Sequence, residues 1–397
     1  MKFFPILLAC AAPACMPLLS QPCRAVTGDG FMWHNTQVGQ VDYLPLDDLR
    51  SFYKLIPMQG TAGTRCVGNG DLKLAFGPDA RDMTVNGIRC RLSHPARQDA
   101  HGDLLVSKVD MVKLIDPVLR PTYIPNRRAV KTVVVDAGHG GHDAGTVTPY
   151  TREADTTLQV AAALRAELEK RGFLVLLTHE DNRYLSDQQR VDCANGAADA
   201  VFISLHLNSG RSDIRGVETY TVEPAAPDAA PLPGNANDAA NAALAMALQS
   251  SLVRRCGAAD GGFRRARYSI LSSVSCPAAL VELGYAGNRE EGTLLSSGEY
   301  RARLAKALAD GVSTFAGLMN PETKLQEREQ PAPPPAKPAA TPPAPVKPVA
   351  PVKRAAPDKA KATPRTPARG ATPRNAARRS AAPRNTAPAK QRRTPRR

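Results

Sequence analysis

Between residues 26 and 125 the apolar positions fall in short alternating runs, TRCVG, DLKLAFG, DMTVNGIRCRLS and LLVSKVDMVKLI. A period of two places successive side chains on opposite faces of a strand, so these runs predict a small β-rich unit. GQVDYLPLDDLRSFYKL reads as a strand feeding a helix, and Asn86-Gly87 between two apolar runs predicts a tight hairpin. The segment Asp116 to Lys131 carries three prolines, ends in charge and reads as a linker. Beyond it the pattern changes. Thr132 to Val135 is an uninterrupted β-branched run, which suits a central strand covered on both faces. Ala154 to Lys170 has a helical stripe at Leu158, Ala161, Ala162, Leu164 and Leu168, closed by Gly172. Phe173 to Thr178 predicts a strand, Ser186 to Ala198 a helix, Ala200 to His206 a strand, Gly216 to Val222 a strand and Asp238 to Arg255 a long helix. Strand and helix in alternation predict an α/β fold, a twisted and mostly parallel sheet flanked by helices.

Composition adds two terminal segments. Lys2 and the apolar run Phe3 to Leu19 are too short for a membrane span and read as a secretory signal over residues 1–25, with a small-residue cleavage site near Ala25. Leu7-Leu8-Ala9-Cys10 loosely resembles a lipidation site, but Cys10 lies early for one. At the other end, residues 331–397 hold six lysines and eleven arginines against Asp358, a net charge of +16 in a chain whose total is +15. The folded part is therefore near neutral, and a tail from about residue 321, rich in Pro, Ala, Lys and Arg, makes the protein basic. With no hydrophobic periodicity, that tail is expected to be disordered. Its charge suits anionic envelope polymers or an acidic membrane surface. Nucleic acid is disfavoured by the export signal and by the scarcity of aromatic residues to stack bases. The organisation read from the sequence is 1–25 signal, 26–125 β-rich unit, 128–320 α/β domain and 321–397 tail.

Export changes how the cysteines read. Of eight, Cys10, Cys15 and Cys23 would leave with the signal. Cys66 with Cys90 and Cys256 with Cys276 are the candidate disulfides, two free thiols being the alternative for each, and Cys193 reads as a free thiol in an apolar setting. No C-x-x-C pair argues for metal on sulfur.

The candidate chemistry sits where apolar runs stop. Val133 to Val135 end in Asp136 and then GHGGHDAG, whose glycines let the backbone approach a ligand. His206 closes VFISLHLNS and Glu282 closes the run in PAALVELGYAGN, while Glu153 opens the helix after the first turn. Strand ends of open α/β sheets are where ligands bind. Two imidazoles and a carboxylate suit a zinc ion with an open position, and a second carboxylate suits proton transfer. Asp136 and Asn208 could orient such ligands, or serve as turn and cap residues.

These motifs, spread over residues 130–318, resemble the zinc-dependent N-acetylmuramoyl-L-alanine amidases. The resemblance implies that His139, Glu153 and His206 bind one Zn²⁺ and that Glu282, in V-E-x-G-[FY]-x-x-N, acts in catalysis on peptidoglycan. Arg190 in Q-R-V-x-x-A-N and the stretch GVET at 216–219 also match. His179 and Ser272 depart from it, each where the family commonly has Arg. Some relatives carry an inserted helix that blocks the zinc, and the proline-rich loop Glu223 to Asn237 looks too short for one. YLPLDDL, TVNGIRCRL and LLVSKVDMVKLIDP resemble the stalk-like domain named from copper amine oxidases, without implying copper, since His34, His94 and His101 lack ligand spacing. Residues alone give zinc-assisted amide hydrolysis, which leaves a peptidase with another target, or a wall-binding scaffold with a vestigial site, as alternatives. The oligomeric state is not legible.

Overall fold

In the computed structural model, which describes residues 23–26, 31–61, 63–125, 127–225 and 229–319, the alternating runs of the first hundred residues form hairpins. Strands β1 (Cys23–Val26), β2 (Met32–Val38) and β3 (Val41–Pro45) lead into helix α1 (Leu46–Phe52). Then come β4 (Ile56–Met58), β5 (Arg65–Gly68), β6 (Lys73–Phe76), β7 (Asp82–Val85), β8 (Ile88–Arg91), β9 (Arg97–Gln98) and β10 (Leu104–Ser107). Asn86 and Gly87 both take positive φ, 50° and 82°, as a two-residue turn between β7 and β8 demands. The alternating reading of LLVSKVDMVKLI holds only to Ser107. There the Ser107 hydroxyl accepts from the Asp110 N–H, and the chain turns helical through α2 (Lys108–Asp110), a π-helical stretch Met111–Ile115 and α3 (Asp116–Leu119). Met111, Leu114 and Ile115 are buried at helical spacing, so burial decides the period that the sequence left ambiguous. The proline-rich segment that follows contributes a 3₁₀ turn, Pro121–Tyr123.

The second half runs β11 (Thr132–Ala137), α4 (Glu153–Glu169), β12 (Leu174–Leu177), α5 (Asp187–Asn195), β13 (Ala200–Asn208), β14 (Val217–Val222) and α6 (Asp238–Cys256). It continues with β15 (Asp260–Ala266), α7 (Ser269–Ser273), β16 (Ala278–Tyr285), α8 (Arg289–Ser296) and α9 (Gly298–Met319). Strands β12, β11, β13 and β16 are parallel neighbours in that order, and β14 joins β16 antiparallel. Every residue of β11 is buried, because helices cover both faces. On one face Val133, Val135, Ile203 and Val281 pack with Leu164 of α4, Leu248 of α6 and Leu308 of α9. On the other, Val134, Phe202 and Leu280 pack with Val191 of α5 and Ile270 of α7. Removing a fully buried side chain such as Leu164 would cost about 2–5 kcal/mol.

The sheet does not stop at the second half. β15 pairs with β8 through Phe263 and Cys90, and the order β12-β11-β13-β16-β14-β15-β8-β7-β6-β5-β4 makes one sheet of 11 strands. Arg265 of β15, its side chain 6% exposed, donates to Ser93 Oγ at 2.6 Å and pairs with the buried Asp110 at 3.1 Å. Asp260 accepts from the Arg89 N–H at 2.7 Å, and Ala242 and Ala245 of α6 lie in the apolar cluster of Trp33, Phe76 and Met83. All the described residues belong to one compact unit. The signal segment, apart from β1, and the basic tail lie outside the described residues. No described helix is long and apolar enough to cross a membrane.

Candidate active site

The end of β11 is fixed from below. Asp136 is fully buried and accepts from Arg190 Nη1 at 2.6 Å, Thr178 Oγ1 at 2.8 Å and Ser204 Oγ at 2.7 Å. Arg190, itself 4% exposed, also donates to the carbonyls of Ala137 at 2.6 Å and His139 at 2.8 Å. One buried ion pair therefore clamps the turn that carries His139. That turn needs glycine. At Gly145, with φ +61°, a Cβ would lie 2.6 Å from the His139 ring and 2.7 Å from Glu153 Oε2, and at Gly138 it would run into the His206 ring.

Three donors converge above the clamp. His139 Nε2 lies 3.0 Å from Glu153 Oε1, and His206 Nδ1 lies 3.1 Å from the same oxygen. Ligand atoms of His139, Glu153 and His206 all fall within 4.8 Å of one another. Glu153 is held by the Thr146 N–H on Oε2 at 2.8 Å and the Leu207 N–H on Oε1 at 2.9 Å. Burial pushes the Glu153 carboxyl up, but the bonds to His139 and His206 outweigh it and hold it well below the usual range. The same contact with Glu153 pushes His139 up to about 9. The other ring nitrogen, His139 Nδ1, is 2.7 Å from Asp143 Oδ2, which fixes the ring and leaves Nε2 facing Glu153. Both histidine side chains stay roughly a fifth exposed, 23% and 22%, so the cluster opens to solvent on one side.

Glu282 stands beside the cluster. It is the sheet partner of His206, and its Oε2 is buried with no hydrogen-bond partner. Burial pushes its carboxyl up to about 7, so the proton is held near neutrality. On the other side of Glu282 in the sheet lies Glu218, 2% exposed. The positions singled out from the sequence thus fall into two groups. His139, Glu153, His206 and Glu282 meet at one end of the parallel strands, and Asp136 and Arg190 form the clamp beneath them. Asn208 bonds none of these and donates instead to Glu218 Oε2 at 2.9 Å.

Residues 133–314 match the family model described as N-acetylmuramoyl-L-alanine amidase. This segment is an amidase-family catalytic domain. The chain is 29% identical over 185 residues to the uncharacterized protein YqiI of Bacillus subtilis (strain 168), covering 47% of this chain and 84% of that one. It is 27% identical over 187 residues to the N-acetylmuramoyl-L-alanine amidase LytC of the same organism, covering 47% of this chain but 35% of LytC. Among solved structures, the catalytic domain of the amidase CwlV from Bacillus (Paenibacillus) polymyxa var. colistinus is 30% identical, covering 48% of this chain and 99% of that one, with a TM-score of 0.42.

The amidase domain's donor set fits zinc. Two imidazoles and one carboxylate are the ligand types and the number that catalytic zinc sites use, and Asp143 supplies the outer carboxylate that such a histidine takes. Sequence reading missed Asp143 and Glu218. Asp143 sits in the same turn four residues on from His139, and Glu218 in the quoted GVET, but only the folded registers bring either to the site. His179 is buried beneath the turn, within 3.0 Å of Thr178 Oγ1, and Ser272 bonds back to the Tyr268 carbonyl within its own helix. Among the described residues of 223–237 the helical element is one 3₁₀ turn, Pro233–Asn237.

The two disulfides do not form. Cys66, Cys90, Cys193, Cys256 and Cys276 are all free thiols. Cys66 on β5 and Cys90 on β8 are separated by β6 and β7, about 14 Å at the usual strand spacing, twice the reach of a bridge. Cys256 is the last residue of α6, whereas Ser275, next to Cys276, bonds to Asn237 just before that helix begins. A helix of 19 residues puts about 28 Å between those ends.

Proposed function

We propose that this chain is an exported, zinc-dependent N-acetylmuramoyl-L-alanine amidase that hydrolyses the amide between N-acetylmuramic acid and L-alanine in peptidoglycan. The observation that carries the reading is the half-open His139–Glu153–His206 cluster with an unpartnered, buried Glu282 Oε2 beside it. His139, Glu153 and His206 would hold zinc, which when bound supplies Lewis acidity to polarise the amide carbonyl and acidify water. The chain's own residues do the rest. Asp143 and the Thr146 and Leu207 N–H groups keep the donors in place. Glu282 takes a proton from the attacking water as its oxygen adds to the carbonyl carbon, and returns it to the amine nitrogen as the C–N bond breaks. A carboxyl held near neutrality can do both. Glu282→Gln keeps the shape but removes the acceptor, so it should retain zinc and lose about 10²-fold or more of turnover. Near wild-type turnover would move the base elsewhere.

In this proposal residues 1–25 direct export and are removed, residues 26–125 form a stalk-like, wall-facing unit ahead of the catalytic domain, and residues 321–397 hold the enzyme to anionic envelope polymers through summed charge. Attraction of that kind weakens steeply with salt. Deleting residues 331–397 should lower retention on envelope fractions at low salt and leave hydrolysis of a small soluble muropeptide unchanged. Equal retention across a salt series would remove the tether.

A further inference from the structure

Two carboxylates stand side by side in the sheet, the buried Glu218 on β14 and the partly buried Glu282 on β16, with His206 of β13 next in the same row. They differ in their partners. Glu282 Oε2 has none, whereas Glu218 has four, one from each of four strands. Arg264 Nη2 of β15 lies 2.8 Å from Oε1, and the Tyr285 hydroxyl of β16 donates to the same oxygen at 3.2 Å. Asn208 Nδ2 of β13 donates to Oε2 at 2.9 Å, and the Tyr220 hydroxyl of β14 donates to it at 2.6 Å. A carboxylate with both oxygens so occupied has no lone pair left for substrate or water.

Two of those donors lie just past residues the reaction uses. Asn208 follows His206 by two positions and Tyr285 follows Glu282 by three, and Asn208 and Tyr285 are again sheet partners. The register therefore slips by one residue between the two pairs, an irregularity that bends the strands where the site lies. Both residues beyond the slip end on Glu218. Arg264 neutralises its charge, so a second carboxylate can stand next to Glu282 inside the protein.

We propose that Glu218 is the positioning residue of this site, a fixed anion that locks Asn208 and Tyr285 across the register slip and so holds Glu282 and His206 in working alignment. It touches no reacting atom. The inference deepens the amidase reading and rests on it for its kinetic consequence.

The test pairs kinetics with crystallography on the full, zinc-loaded chain. Glu218→Gln keeps the shape but breaks the pair with Arg264, and Tyr285→Phe removes one donor only. On a soluble muropeptide, kcat should fall about 10-fold or more in Glu218→Gln with KM within about twofold, zinc content unchanged and Tyr285→Phe intermediate. A buried acid that only stabilised the fold would lower melting temperature without this split. An unchanged kcat, or a raised KM at constant kcat, overturns the proposal. Should Glu218→Gln fail to fold, the same split is read in Tyr285→Phe. Crystal structures of the variants decide independently of turnover. Displaced Asn208 or Tyr285 side chains with Glu282 in more than one rotamer support positioning, and an unmoved row overturns it. A wild-type chain that hydrolyses no muropeptide defeats the amidase reading, while the crystallographic comparison still judges Glu218.

Discussion

Replacing Asp136 by asparagine tests whether the buried clamp supports both fold and site. Asp136 is fully buried and Arg190 is 4% exposed, so the substitution leaves a guanidinium inside the protein without its counter-charge. Breaking such a pair by removing one partner costs about 3–5 kcal/mol, against about 0–1 for an exposed pair such as Arg183–Asp181. For a unit of this size each kcal/mol lowers the melting temperature by about 2–4 °C, so Asp136→Asn should melt about 6–20 °C below wild type. Asparagine can still accept from Thr178, which places the result toward the lower end. Arg190 also holds the Ala137 and His139 carbonyls, so zinc affinity should fall by about 10-fold or more. The assay is thermal unfolding by circular dichroism, with chelator and with excess zinc, together with competition against a zinc-sensitive dye. Asp181→Asn serves as the control and should melt like wild type. A shift under about 2 °C with unchanged zinc affinity would refute the clamp.

The ligand assignment predicts that the purified chain binds about one Zn²⁺, that His139→Ala and His206→Ala lose it, and that full occupancy in both variants by elemental analysis excludes it. In metal-free protein the Glu282 carboxyl, ordinarily near 4.5, is raised to about 7, which favours its neutral form in the folded state. That contribution is fully present below about pH 4.5 and is lost as pH rises through about 7, a change of about 3 kcal/mol at most. Denaturant unfolding of wild type and Glu282→Gln, with chelator present, should show the two stability curves diverging over that window; parallel curves would contradict it. Thiol titration of the denatured chain lacking residues 1–25, made in an oxidising compartment and purified without reductant, should report five thiols, whereas one thiol would restore both bridges.

The parallel half of the fold was legible because its signals are local. An uninterrupted β-branched run, a helical stripe closed by Gly172 and turns at strand ends predicted β11, α4 and β13 to within a few residues. Strand β15 was not legible. DGGFRRA holds Phe263 as its one large apolar residue, and the segment is a strand because β14 and β8 pair with it on either side. Its Arg265, an exposed charge on any sequence reading, keeps its side chain only 6% exposed because Asp110, 155 positions away, meets it. Helix α9 carries a local signal of its own, Leu304, Leu308, Val312 and Phe315 at helical spacing. The candidate site divides the same way. His139, Glu153, His206 and Glu282 sit in recognisable wording, but the partners of Glu218 come from four strands, and no spacing along the chain announces them. The cysteine pairings failed because nearness in sequence says nothing about intervening strands or the length of α6.

In the proposed reaction this site cuts one bond, the amide between N-acetylmuramic acid and L-alanine. Purified sacculi digested by the zinc-loaded full chain, with the soluble products separated and weighed by mass spectrometry, test it directly. The expected products are intact stem peptides with a free L-alanine amine and glycan strands that keep their lactyl carboxyl groups, both strongly reduced in Glu282→Gln. Peptides cut internally, with L-alanine still on the glycan, or no release at all from a chain that holds its zinc, would contradict the proposed reaction.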